Sequence, residues 1–454
     1  MRAAAVVILA AVVVAAPASA AERYGTIPGV RATGTPAKYD RVGILKIGSP
    51  KAKNVLVLNP GTSASAAYFA PLARSVVARA KGWQVWAVER RENLLEDHSV
   101  LDRAKAGQAT PKELFDYYLG WIEDSSVTTH FQLIPNADVA YAKQWGMRTE
   151  IGDLRRVVLQ AKKLGGKVVV GGHSLGGTIT SAYATWDFGG KPGAKGLAGL
   201  VFIDGASSAT PVTSDEAQQS LDALMASDAS PWLSFGGIAA PFAGLFNSGG
   251  STLVKIAPDE KALAQDFGPL PADLKPPVPA TNAGQYGYAL DTETSPAGLA
   301  AAQAHLGHLA ESGDPRGWDD AGELTPLTRM ADAFSGWGLP GLDGTAWYHP
   351  QRLTIDARVV AAGNANPGQK IMDVHATHGD DLPKSLRILA FAASLGGQRV
   401  LDGAVALATQ SKIPAKRVTL IDGSATYAHN DPNTAAPAKN LFLRKLVAFL
   451  GRVA

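Results

Sequence analysis

Six short apolar runs, set apart by stretches long enough for a helix, constrain this chain more than any other feature. They are residues 54–59 (NVLVLN), 83–89 (WQVWAVE), 167–172 (KVVVGG), 198–204 (AGLVFID), 386–392 (LRILAFA) and 417–422 (RVTLID). Each is short, rich in branched residues, and ends in a turn-forming or polar residue, as strands do. Their alternation with helix-length intervals, including a predicted helix over 150–163, points to an α/β fold: a mostly parallel sheet flanked by helices. Residues 41–48 (RVGILKIG) are expected to add an antiparallel edge strand.

Two intervals are too long for simple crossovers. One is 91–166, charged and aromatic before its helix. The other, 207–384, is rich in Pro, Gly, Trp and Ser, and a structureless loop of that size does not fit a compact domain. The expected organisation is therefore a core in two parts, 21–206 and 385–454, with an inserted cap or lid subdomain over 207–384.

The first twenty residues read as a targeting segment. MRAAAVVILAAVVVAAPASA carries one charge at Arg2, an apolar stretch from Ala3 to Ala16, then Pro17 and the small-residue pattern Ala18-Ser19-Ala20. That stretch is shorter than the roughly 20 residues a spanning helix needs. It predicts a cleavable signal peptide, cut after Ala20, and a secreted or periplasmic protein. The absence of cysteine excludes disulfides, thiolate metal sites, a cysteine nucleophile and a lipoprotein anchor. With 43 Lys plus Arg against 40 Asp plus Glu and no basic run, nothing suggests a nucleic-acid partner.

The chemistry concentrates after the third run. Gly172-His173-Ser174-Leu175-Gly176 has the G-x-S-x-G form, preceded by a β-like run and followed by residues that can begin a helix. A turn that tight needs nearly bare backbone two residues either side of the serine, and it lifts the hydroxyl above the sheet. A phosphate-binding loop would need a Lys before the Ser or Thr after its last glycine, yet Thr178 follows Gly177 directly. The spacing of glycines 172, 176 and 177 does not fit a dinucleotide loop either.

On these residues the chain resembles the α/β-hydrolase superfamily, and serine esterases and lipases within it most of all, over about residues 40–206 and 385–454. The resemblance implies Ser174 as nucleophile, with an oxyanion hole built from the Leu175 N–H and one from the loop VLNPGTSASAAYFAPLA at 57–73. That loop has Pro60-Gly61 where relatives often have His-Gly, which makes Thr62 the expected donor and Ser63 the second choice. It also implies a general base after the last strand, and of the nine histidines only His429 stands there. The triad acid is ambiguous. The usual place, after the penultimate strand, holds Ser394, Leu395, Gly396 and Gly397, with Asp402 several residues late in what looks like a helix start. Asp204 ends the preceding strand and is favoured; Asp402 remains the alternative.

Weaker signals read as follows. His375, His378 and the aspartates after them form a polar loop rather than a metal site; no cofactor or metal is expected. His305 and His308 are expected on one helix, and Glu89-Arg90-Arg91-Glu92 as local ion pairs near the rim of the site. Residues 229–254 lack charge, and their two prolines argue against a membrane span; they are expected to form a mobile apolar flap, with Trp232 and Phe235 touching an acyl group. The reading is a secreted ester hydrolase acting on a small-molecule or lipid ester, with lipid-surface contact through the cap. A serine peptidase, an acyltransferase and a non-catalytic binding protein are the competing readings.

Overall fold

The computed structural model describes residues 21–454; the expected signal peptide, residues 1–20, lies outside them. Ten strands are described: β1 (Glu22–Pro28), β2 (Arg41–Ile47), β3 (Asn54–Asn59), β4 (Trp83–Glu89), β5 (Val168–His173), β6 (Gly199–Ile203), β7 (His308–Gly313), β8 (Arg316–Asp319), β9 (Arg387–Ala392) and β10 (Val418–Asp422). Eight form one sheet in the order β1-β2-β4-β3-β5-β6-β9-β10, and β7 with β8 makes a separate hairpin. From β4 to β10 neighbouring strands run parallel, while β1–β2 and β2–β4 are antiparallel.

The period-2 alternation of a strand sends successive side chains to opposite faces, and here both faces are buried. Val55 and Val57 of β3, with Trp86 and Val88 of β4, pack against Ile151, Leu154 and Val158 of the helix Met147–Lys162. Leu56 and Leu58, with Val85 and Ala87, face the other layer, which includes Leu72 and Val76 of the helix Ala70–Arg79 and Phe442, Leu446 and Phe449 of Leu441–Val453.

Three local expectations are corrected. Residues 41–48 supply an antiparallel strand but not the edge, because β1 pairs along its whole length with β2. β1 (ERYGTIP) has no apolar run to reveal it; its charged residues and terminal proline suit an edge that must not pair further. His305 and His308 share no helix: Gly307 between them has φ +117°, His308 opens β7, and that backbone cannot continue a helical turn. Within 229–254, Trp232 lines no cavity near Ser174. It is buried between Trp145 and Tyr348, with ring centroids 6.2 and 5.3 Å away.

The interval between β6 and β9 is structured. It holds the helices Ser214–Met225, Phe242–Ile256, Asn282–Leu290, Leu327–Ser335, Gln351–Ala357 and Pro367–Met372 besides the hairpin. No helix among the described residues is long and apolar enough to cross a membrane.

Candidate active site

Strand β5 runs straight into Ser174, and the helix Leu175–Thr185 leaves directly after it. Ser174 has φ 57° and ψ −126°, a conformation that non-glycine residues rarely adopt and that the surroundings must enforce. The enforcement is backbone contact. A Cβ on Gly172 would come within 2.1 Å of the Gly176 carbonyl oxygen, and one on Gly176 within 2.0 Å of the Asn59 oxygen. The sequence folds into this turn because only hydrogen fits at those positions.

His429 lies in the loop after β10, and Asp204 directly after β6. His429 Nδ1 and Asp204 Oδ2 are 2.6 Å apart, with both side chains almost fully buried. The other carboxylate oxygen accepts the Ala393 and Gly396 amides at 2.6 and 3.1 Å. Burial pushes the Asp204 carboxyl upward, but the His429 hydrogen bond and charge, with the Ala393 amide, hold it below the usual carboxylate range. Asp402 is exposed on the helix Gln398–Gln410 and bonds Gln398. His173, beside the serine, turns away from it and donates Nε2–H to the His429 carbonyl at 2.8 Å. Burial, then the neighbouring His429, drives its pKa down to about 3, so it is a neutral brace for the His429 loop.

The loop after β3 closes over the elbow. Gly61 lies so near that a Cβ there would meet Ser174 Cβ at 2.8 Å. Among the described residues the Thr62 amide donates to no protein group, and Leu175, first residue of its helix, has no intrahelical acceptor for its amide. Ser63 differs: its N–H points at His349 Nδ1, 3.4 Å away, which removes it as a free donor.

What fixes this loop is a buried charge. Arg90 donates to the Pro60, Gly61 and Ala64 carbonyls at 3.0, 3.1 and 3.0 Å, and to Glu92 at 2.6 Å. His349 is wholly buried; burial and then the Arg90 charge hold its pKa well below normal, leaving a neutral ring that accepts at Nδ1 and meets Thr354 Oγ1 through Nε2 at 3.1 Å. Of the local ion pairs expected at Glu89–Glu92, Arg90–Glu92 forms, but the placement at a rim is corrected. All four residues are buried, and Arg91 reaches across the fold to Asp40 and Asp153. Distant segments cover these charges, and no local pattern could have revealed that.

No protein-family model and no curated protein matches the chain. Solved structures do. A "putative lipase" from Sulfolobus solfataricus is 14% identical, with 96% of this chain and 95% of that one covered at a TM-score of 0.50. A thermostable carboxyl esterase from Bacillus coagulans is 13% identical, with 95% and 98% covered at a TM-score of 0.41. The chain has the α/β-hydrolase fold. Within that hydrolase fold the serine, the histidine and the strand-end aspartate occupy the C-terminal edge of the parallel strands.

Two cavities meet near Ser174. One pocket is lined by Gly61, Thr62, Ser63, Tyr68, His173, Ser174 and His429, with Phe235, Ala243, Asn247 and Ala302 among the other walls. Those last four also line an apolar cavity that continues past Leu245, Phe246, Leu253 and Leu299. Its polar lining residues are Asn247, Asn282, Gln285, Tyr118 and Tyr286, and no charged residue lines it. On another side of Ser174 and His429 lies a more polar cleft that includes Asp204, Ser207, Arg399 and Asp402.

Proposed function

We propose that the chain is a serine hydrolase of carboxylic esters whose acyl group enters the apolar cavity. The observation that carries this reading is the convergence of a strained, solvent-reached Ser174 and a buried Asp204–His429 pair on one pocket. Ser174 attacks the carbonyl carbon, and His429 takes its proton and returns it to the departing alkoxide. Asp204 holds the imidazole with its Nε2 lone pair available and stabilises the imidazolium. The Thr62 and Leu175 amides stabilise the tetrahedral oxyanion, an effect worth about 3 kcal/mol for one donor. Water entering through the polar cleft then cleaves the acyl-enzyme. No hydrogen bond ends on the Ser174 hydroxyl among the described residues, and substrate closure is what brings such contacts to working length.

An uncharged cavity favours an acyl chain over a charged peptide terminus, which weighs against the peptidase reading. The test is hydrolysis of p-nitrophenyl esters from acetate to long chains by the wild type and Ser174→Ala, with fluorophosphonate labelling of the serine. The variant is expected to stay folded and lose at least about 10³-fold in kcat/KM; residual activity within about tenfold overturns the assignment. Phe235→Ala should reduce turnover of long-chain esters more than acetate, whereas Trp232, remote from both cavities, should not discriminate. Export rests on residues 1–20 alone, and N-terminal sequencing of the secreted protein tests cleavage after Ala20.

A further inference from the structure

Away from the Ser174 pocket, Glu96, His98 and Asp343 bring two carboxylates and an imidazole together where β4's trailing segment meets the stretch 343–349. Their side chains are 0, 11 and 1% exposed. His98 Nε2 lies 3.2 Å from Glu96 Oε2 and 3.8 Å from Asp343 Oδ2. Despite that proximity, Glu96 Oε2 and His98 Nε2 each lack any hydrogen-bond partner. A buried carboxylate oxygen and a buried ring nitrogen that face each other without bonding are costly unless a third group sits between them.

The remaining atoms are already engaged. Glu96 Oε1 accepts the Trp347 amide at 2.7 Å, Asp343 Oδ2 the Trp347 indole N–H at 2.8 Å, and Asp343 Oδ1 the Thr345 amide at 2.9 Å. Such outer hydrogen bonds orient metal ligands. Donors about 2.0–2.1 Å from a tetrahedral ion lie about 3.4 Å from one another, close to the spacings seen. Two carboxylates and one imidazole nitrogen supply the oxygen and nitrogen donors that a divalent cation takes.

We propose that Glu96 Oε2, His98 Nε2 and Asp343 Oδ2 form a binding site for a divalent transition-metal ion, Zn²⁺ being the best match to one nitrogen and two oxygens, with a fourth position for water. The ion would tie the 343–347 stretch to the segment after β4. That stretch also holds the loop carrying Thr62, through Ser65 N to Gly344 O at 3.1 Å and Ala346 N to Ser63 O at 3.0 Å. The site does not depend on the esterase reading and is tested without activity.

The experiment uses the untagged, exported chain, its metal content measured as purified and again after dialysis against a chelator. Zinc sulfate is then titrated in, read by calorimetry and by melting temperature. One zinc per chain is expected, with a rise in Tm of about 3–5 °C at a hundredfold excess over Kd. His98→Gln and Glu96→Gln should each lose both signals, and either suffices if the other fails to fold; Ser174→Ala should keep both. Cobalt substituted for zinc should give visible absorption bands of a low-coordinate nitrogen–oxygen site. A wild type that binds no zinc and shifts by less than about 1 °C overturns the proposal in favour of shared protons. Undiminished uptake in the folded variants overturns it in favour of an ion held elsewhere.

Discussion

The elbow at Ser174 and the loop at Thr62 face each other across one pocket, yet they are held in place by opposite means. The elbow is fixed by the absence of side chains: glycines 172 and 176 let backbone press on backbone, and the strain at Ser174 follows. The loop is fixed by side chains from elsewhere, with the Arg90 guanidinium gathering three carbonyls and a neutral His349 beneath Ser63. A steric constraint is short-ranged and written into adjacent positions. A constraint from buried charge is long-ranged and depends on what covers it, so the two should fail differently when altered.

The largest effect is expected at the elbow. In Gly176→Ala the new methyl meets the Asn59 carbonyl, which is backbone and cannot step aside, so the whole protein should lose at least about 3 kcal/mol. Thermal melting checks it, and an unchanged Tm would mean the turn is not sterically fixed. Next comes Asp204, the carboxylate paired with His429. Asp204→Asn should lower kcat by at least about 10²-fold with little change in KM, because the imidazole loses its tautomer and its counter-charge. Asp402→Asn, altering an exposed helix residue, should cost far less; the reverse ranking would reassign the acid.

The loop should behave in the other way. Arg90→Lys keeps the charge beside Glu92 but loses the planar fork that spans several carbonyls. Folding should survive, while kcat falls by about 10- to 10²-fold and KM moves by less than about threefold, the signature of a misplaced oxyanion donor. Equal losses in Tm and kcat would show that Arg90 holds up the fold and not the loop.

The smallest effect tests the buried charge around Arg90. Glu150, wholly buried, has its pKa raised to about 8, chiefly by burial, against an ordinary value of 4.5. The folded state therefore holds this proton more tightly than the unfolded one, and stability from this group falls as pH rises from about 4.5 to 8. Glu150→Gln, neutral throughout, should exceed the wild type by on the order of 1 kcal/mol at pH 8 and converge with it below 4.5. A pH-independent difference would remove Glu150 from the titrating set.

The same division explains what was legible in the chain. The six apolar runs match strands within a residue or so; five of those strands are interior and buried, so they must be apolar at nearly every position, while β10 is the partly exposed far edge. Ser174 was readable because its turn demands glycines at fixed offsets. His429 and Asp204 were readable because strand ends in this architecture converge on one edge, although choosing Asp204 over Asp402 as the partner of His429 needed the coordinates. β1 escaped because an edge strand is paired on one side only and tolerates charge.

By itself, then, the sequence determined the apolar strands of the sheet, the sharp turn and the residue types that meet at it, all consequences of steric and hydrophobic rules acting over a few neighbouring positions. Only the tertiary structure decided that Arg90 lies beneath the Thr62 loop, that His173 braces His429, and that Glu96 and His98 come to face Asp343. Those outcomes depend on burying polar and charged groups from segments up to about 250 positions apart, and the energy of such a group is set by whatever surrounds it in space.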